Sequence, residues 1–292
     1  MARRNVRIDS MWLNIFLGAA ISMAEVKTGI TYNTVGETAL QADFYPAKQA
    51  GPTPAPFVIV IHGGGWIGGQ RSEMAALCKQ MSEAGLSSAT VSYRLGPKHK
   101  WPAMIEDVQA AVRYFRANAK EYGIDPNRFG ASGGSAGGHL ALLLGFRDTW
   151  DPKTSFLPDQ SSRVKAVFNI FGPTDLRKDF DRTVAGFVSM QVIGKAYDPE
   201  SPDAAAFSPV SYVSKDSAPV FTLHGKADKL VPVMQAQRLD EALKAAGVKH
   251  EMRLIEGMDH GVDLQIAGVP EAVNDGIKFL VDQLGPATGS RG

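Results

Sequence analysis

The string Gly133-Gly134-Ser135-Ala136-Gly137 constrains this chain more than any other stretch. It has the G-x-S-x-G form, which sets a serine on a sharp turn between a strand and a helix. Backbone angles on such a turn are strained, and strand and helix pass close behind it, so the flanking positions must be nearly free of side chain. Gly133, Gly134, Ala136, Gly137 and Gly138 meet that demand, and the apolar residues 140–144 read as the buried helix that follows. The free N–H groups at that helix start face the place where negative charge would develop beside the serine. Ser135 is therefore the candidate nucleophile. A match of five residues also arises as an ordinary glycine-rich turn with an incidental serine, so the rest of the chain has to decide.

The surrounding pattern is strand alternating with helix. Residues 29–35 and 40–45 read as two short strands around Gly36, an antiparallel entry to a sheet. Residues 57–61 are continuously apolar and mostly β-branched, as in a strand buried on both faces. A helix over 74–84, a strand over 87–93 and one amphipathic helix over 101–122 follow, the last ended by Asp125-Pro126-Asn127 before the strand that leads into Ser135. Further strands fall at 164–171, 220–224 and 251–255, with helices at 239–246 and 269–284. Such alternation predicts a mostly parallel sheet covered by helices on both faces. Residues 177–208 break the pattern and read as a small cap over the carboxyl edge of the sheet.

At 292 residues the chain is long enough for one large core. A net charge of +1 gives no electrostatic footprint for nucleic acid. Cys78 is the sole cysteine, so no internal disulfide and no cysteine-based metal cluster is available; in its apolar helical stretch it reads as a small core residue. The first 25 residues stand apart. Arg3, Arg4 and Arg7 precede an apolar run over 11–24 that is too short to span a bilayer. Two readings stand side by side: a signal peptide ending in Ser22-Met23-Ala24, hence export, or an apolar helix with Trp12, Ile15, Phe16, Ala19 and Met23 on the face it packs over the domain. The expected organisation is thus an N-terminal apolar segment, 1–25, and one catalytic domain, 26–286, carrying the 177–208 insertion.

Ligands of open parallel sheets gather at the carboxyl ends of the strands, and four motifs sit there. His62-Gly63-Gly64-Gly65-Trp66 follows one strand and Ser135 another; His224-Gly225-Lys226-Ala227-Asp228 and Gly257-Met258-Asp259-His260-Gly261 follow two more. Acyl transfer through serine needs a base for its proton, a carboxylate to orient the base, and N–H donors for the oxyanion. His260, in a loop flanked by glycines, suits the base. Asp228 suits the carboxylate and completes the chain order serine, aspartate, histidine. Asp259 and Asp263 are its rivals, but a residue adjacent to His260 rarely turns its side chain back on it. Gly63, Gly64 and Ala136 are the expected oxyanion donors. His62 reads as a tether of the oxyanion loop, His139 and His224 as structural, and His99 and His250 as exposed. Asp107, early on a helix, reads as a structural ion pair or dipole contact. No H-x-x-x-H or H-x-H spacing argues for a metal site.

These residues resemble the α/β-hydrolases. Among them the chain is similar to carboxylesterases of the hormone-sensitive-lipase-like type and to BD-FAE-like esterases, over roughly residues 30–284. The resemblance rests on His62-Gly63-Gly64-Gly65-Trp66, the string from Tyr93-Arg94-Leu95-Gly96-Pro97 to Trp101-Pro102-Ala103, Ser135-Ala136-Gly137-Gly138, and the Asp228 and His260 loops. Gly134 stands where the lipase-like enzymes usually carry an acid, and the string ending in Asp228 is more similar to BD-FAE-like and prolyl-oligopeptidase-type hydrolases. The resemblance implies a serine carboxylic-ester hydrolase for short acyl esters, with a small-molecule substrate and no cofactor. Trp66, Tyr93, Phe187 and Val192 are expected either to shape its pocket or simply to pack. Related machinery also serves amides, as in kynurenine-formamidase-like enzymes, and acetylated or feruloylated carbohydrate. Plant gibberellin receptors use the fold without catalysis but typically lose the histidine that this chain keeps as His260.

Overall fold

The computed structural model describes residues 25–48 and 53–285, so the N-terminal segment with its two readings lies outside the described residues. Eight strands form one sheet in the order β1-β2-β4-β3-β5-β6-β7-β8. They are β1 (Lys27–Val35), β2 (Thr38–Tyr45), β3 (Ala55–Ile61), β4 (Ser87–Val91), β5 (Ile124–Gly134), β6 (Val167–Ile170), β7 (Val220–Gly225) and β8 (His250–Ile255). β2 runs antiparallel to β1 and β4, and every other neighbouring pair is parallel.

The helices are α1 (Ala75–Glu83), α2 (Ala103–Ala117), α3 (Ala119–Tyr122), α4 (Ala136–Phe146), α5 (Arg182–Val188), α6 (Pro202–Phe207), α7 (Met234–Ala245) and α8 (Val269–Leu284). They cover both faces of the sheet. The alternation of β3 shows how: Phe57, Ile59 and Ile61 join a core with residues of α2, α4 and α7, while Val58 and Val60 join a second core with α1 and α8. Every residue of β3 is buried, which is why its sequence is a solid apolar run.

The predicted helix over 101–122 is two helices. Asn118 interrupts it, its side-chain amide donating to the Tyr114 carbonyl at 2.8 Å, and α3 resumes beyond it. β5 takes in Asp125-Pro126-Asn127, where a break was expected: Ile124 pairs with Ala55 before a register irregularity, and Phe129 then pairs with Phe57. Residues 177–208 fold as α5, a π-turn over Ser189–Ile193, and α6. They dock on the loop before α2, where Trp101 N–H donates to the Val192 carbonyl at 2.9 Å and Lys100 Nζ reaches the Met190 and Gln191 carbonyls.

Candidate active site

Ser135 sits between β5 and α4 with φ 54° and ψ −120°. A serine accepts that strain only where its surroundings dictate it. Here they do: Ser135 N–H donates to the Ile170 carbonyl at 2.9 Å, and its own carbonyl accepts from His139 N–H at 3.0 Å. A methyl group on Gly137 would lie 2.1 Å from the Ile61 carbonyl oxygen. Only glycine lets α4 run this close to β3, so Gly137 brings the end of β3, and the oxyanion string after it, up to the serine.

Three expected residues meet. His260 Nε2 lies 2.8 Å from Ser135 Oγ, and His260 Nδ1 lies 2.7 Å from Asp228 Oδ2. Asp228 Oδ1 accepts the N–H groups of Leu230 and Val231 at 3.0 and 2.8 Å. The loop after β7 therefore wraps its own carboxylate and aims the other oxygen at His260. Burial pushes the Asp228 carboxyl up, but hydrogen bonds from His224, His260 and Val231 outweigh it and hold Asp228 well below the usual carboxylate range. With the carboxylate ionised, His260 carries its proton on Nδ1, and Nε2 is left to accept from the serine hydroxyl. Asp259, the sequence rival, points elsewhere. Its Oδ1 accepts the N–H groups of Lys229 at 3.1 Å and of His260 at 2.8 Å, which fastens the His260 loop to the Asp228 loop.

The string Gly63-Gly64-Gly65, expected to hold the oxyanion donors, turns back beside the serine. Gly63 is so close that a methyl there would lie 3.4 Å from Ser135 Cβ. The N–H groups of Gly63 and Gly64 donate to no protein acceptor among the described residues. Ala136 is the first residue of α4, so its N–H has no acceptor within the helix. His62 tethers this loop, as expected: its Nδ1 lies 2.8 Å from the Gly63 carbonyl oxygen, and burial lowers its pKa against the pull of that carbonyl.

A cavity of about 410 Å³ opens over Ser135 and His260, with Gly63, Gly64 and Gly65 on one side and Met74, Ile170, Phe171, Leu230 and Val262 forming an apolar wall. None of the four residues expected to shape the pocket is in that wall, and the reason lies in the direction each backbone gives its side chain. Tyr93 is buried; its ring stacks on His62 at 4.4 Å and its hydroxyl donates to the His62 carbonyl at 3.0 Å, so it supports the oxyanion loop from behind. Trp66, at φ 61°, turns into the core and meets His139 and Phe207 edge-on. Val192 is fully buried in that same core, and Phe187 is 51% exposed. The wall residues missed in the sequence had a positional signal. Leu230 and Val262 follow Asp228 and His260 by two, and Phe171 directly follows β6.

The remaining titratable groups are structural. Arg94 grips the buried Asp107 through Nε and Nη2 at 2.7–3.0 Å, an ion pair of the kind expected. His139 Nε2 lies 2.6 Å from the Phe207 carbonyl oxygen, and burial pushes its pKa down to about 4. His224 Nε2 lies 2.8 Å from the Val231 carbonyl oxygen and 3.5 Å from Asp228 Oδ2. The expected exposure of His250 is wrong. Its side chain is fully buried between Asp240 Oδ1 and Thr222 Oγ1, each at 3.0 Å, because β8 lies beside β7 and α7 closes over it. That series imitates a catalytic one, but Thr222 is itself fully buried inside β7. Among the described residues, no group of three or more His, Cys, Asp or Glu side chains is placed to hold a metal ion, and no helix is long and apolar enough to cross a membrane.

Residues 42–243 match the family model described as BD-FAE. The chain belongs to the BD-FAE family. The match ends before His260, which the loop after β8 brings to Ser135. The chain has the α/β-hydrolase fold, and its solved neighbours include esterases. It is similar to a truncated form of a carbohydrate esterase from gut microbiota, with a TM-score of 0.77 and 28% identity over 91% of this chain and 98% of that one. It is also similar to the esterase Est2 of Thermogutta terrifontis in its propionate-bound form, with a TM-score of 0.77 and 25% identity over 93% of this chain and 98% of that one. The same esterase has been seen phosphonylated by sarin. By sequence, Esterase LipC of Mycobacterium tuberculosis is 31% identical over 229 residues, 76% of this chain and 57% of LipC. The chain thus spans little more than half of that relative's length.

Proposed function

We propose that this BD-FAE protein is a serine carboxylic-ester hydrolase that works through an acyl-enzyme on esters with short acyl groups. The hydrogen-bonded series from Ser135 Oγ through His260 to Asp228, at 2.8 and 2.7 Å, carries the reading. Ser135 Oγ attacks the ester carbonyl carbon while its proton passes to His260 Nε2. The oxyanion accepts from the N–H groups of Gly63, Gly64 and Ala136, each such donor being worth about 3–4 kcal/mol in the transition state. Collapse of the tetrahedral adduct breaks the bond to the alcohol oxygen, which takes the proton from His260. Water then repeats the sequence: His260 removes its proton, the acyl carbon leaves Ser135, and the serine recovers its hydrogen. Asp228 holds the ring orientation throughout and stabilises the imidazolium.

The apolar cavity of about 410 Å³ accommodates an acyl group, and the short insertion over 177–208 and the propionate-bound form of Est2 support a short one. The wall presents Met74, Ile170, Phe171, Leu230 and Val262 and no charged side chain beside the triad, so it favours a neutral, apolar acyl group. The propionate-bound Est2 and the esterase name of LipC support the same class.

The test is a p-nitrophenyl ester series from acetate to palmitate, run with wild type and Ser135→Ala. We expect kcat/KM to peak at short acyl groups and to fall by about 10⁴-fold or more in the variant. Equal rates for wild type and Ser135→Ala on every ester would overturn the proposal, and a maximum at palmitate would overturn the short-chain part.

A further inference from the structure

Phe171 follows the carboxyl end of β6 with φ 40°, a left-handed conformation that bulky side chains rarely adopt. The chain holds it there from both sides. Phe171 N–H donates to the Leu223 carbonyl at 2.8 Å, and the next N–H, of Gly172, donates to Asn169 Oδ1 at 3.0 Å. The Ile170 carbonyl just before it is taken by Ser135 N–H. These bonds tie the strained residue to β7, to the turn after β6 and to the nucleophile itself.

The consequence is the direction of the ring. Its centroid lies 4.8 Å from that of His260, tilted by 57°. A methyl group on Gly134 would sit 3.5 Å from Phe171 Cε2, in ordinary van der Waals contact. The ring thus packs both on the base and on the backbone immediately behind Ser135. It lines the cavity while being only 6% exposed, which makes it a fixed wall and not a mobile flap. Ile170, the residue before it, is equally buried, whereas Met74 is partly exposed and Leu230 and Val262 are exposed and free to yield.

We propose that Phe171 is the specificity-determining side chain of this site: a rigid aromatic stop that excludes acyl groups branched at the carbon next to the carbonyl. The proposal rests on the esterase reading above. A wall touching Gly134 and His260 reaches the carbons nearest the Ser135 oxygen, where α-branching adds bulk, and does not reach the far end of a linear chain. Residue 171 therefore sets the width of the acyl group, and the partly exposed residues of the rim set its length.

Phe171→Ala and Phe171→Leu are compared with wild type on p-nitrophenyl acetate, butyrate and pivalate, with Ser135 titrated by a fluorophosphonate and thermal unfolding recorded for each. The expected result is a rise of about tenfold or more in the pivalate-to-acetate ratio of kcat/KM for the alanine variant, a smaller rise for leucine, and an unchanged butyrate-to-acetate ratio. If Phe171→Ala does not fold, the leucine variant decides by the same ratio. Ratios equal to wild type in protein whose Ser135 still titrates overturn the proposal. Wild-type protein that neither titrates nor hydrolyses any of the esters overturns the esterase reading beneath it.

Discussion

Asp228 and Tyr93 show two ways in which single side chains prepare this site. Asp228 is fully satisfied before any substrate arrives, with one oxygen on two backbone N–H groups and the other on His260. Asp228→Asn keeps the shape but places an amide where His260 needs an acceptor, so the ring takes the wrong tautomer. We expect kcat to fall by roughly 10⁴-fold, as is typical of this change, with little movement of Tm. Tyr93 works at a distance. Its hydroxyl serves the His62 carbonyl at 3.0 Å and the Gly63 carbonyl at 3.3 Å, on the far side of the oxyanion loop from the cavity. Tyr93→Phe leaves that buried carbonyl unpaired, costing about 1–3 kcal/mol in urea unfolding. It also lets the loop drift, and a kcat loss of about tenfold is expected, smaller than for deleting a donor outright.

At the scale of elements, the site depends on how closely backbones approach. Gly137→Ala would drive a methyl group into the carbonyls of Ile61 and His62, at 2.1 and 2.7 Å, forcing α4 away from β3. Chemical denaturation is expected to show a loss of about 1–3 kcal/mol, with activity falling further than stability because Ser135 moves with the helix. The Asp228 and His260 loops depend on Asp259 in the same manner. Asp259→Ala frees the Lys229 and His260 N–H groups, and a displacement of the imidazole by a fraction of an ångström lowers kcat by up to about 10²-fold with KM unchanged. Asp259→Asn retains an acceptor oxygen and should recover most of the loss; equal losses in both variants would show that the charge, and not the bridge, matters.

Across the whole molecule, acid is the weak point. Burial lowers the pKa of His62, His139 and His250, each against an opposing carbonyl or carboxylate. For such groups the unfolded chain takes up protons near pH 6.5 while the folded chain does not, so stability is complete above that pH and drains as pH falls toward the folded value. His139, with a folded value of about 4, alone accounts for a loss on the order of 3 kcal/mol between those limits. Asp228, held low, adds a further loss below the ordinary carboxylate range. Calorimetry from pH 7 to pH 4 should show a falling Tm. In His139→Gln, which keeps a donor for the Phe207 carbonyl, the slope should be shallower.

The sequence by itself determined the order of the strands and the main helices between them, and named the serine, aspartate and histidine that meet. Strands buried on both faces must be apolar throughout, as 57–61 are, and a backbone forced against another must be glycine, as at Gly137. Those demands act locally and leave a mark in the letters. What only the tertiary structure decided is where the other side chains point. Trp66 and Tyr93 stand beside the oxyanion string yet turn into the core, while Phe171, without any motif, forms the wall. His250 is buried by α7, an element that its own strand does not specify. The direction of each depends on a single φ value at a strand end or on a neighbour distant in the chain, and neither is written in the local pattern of apolar and polar residues.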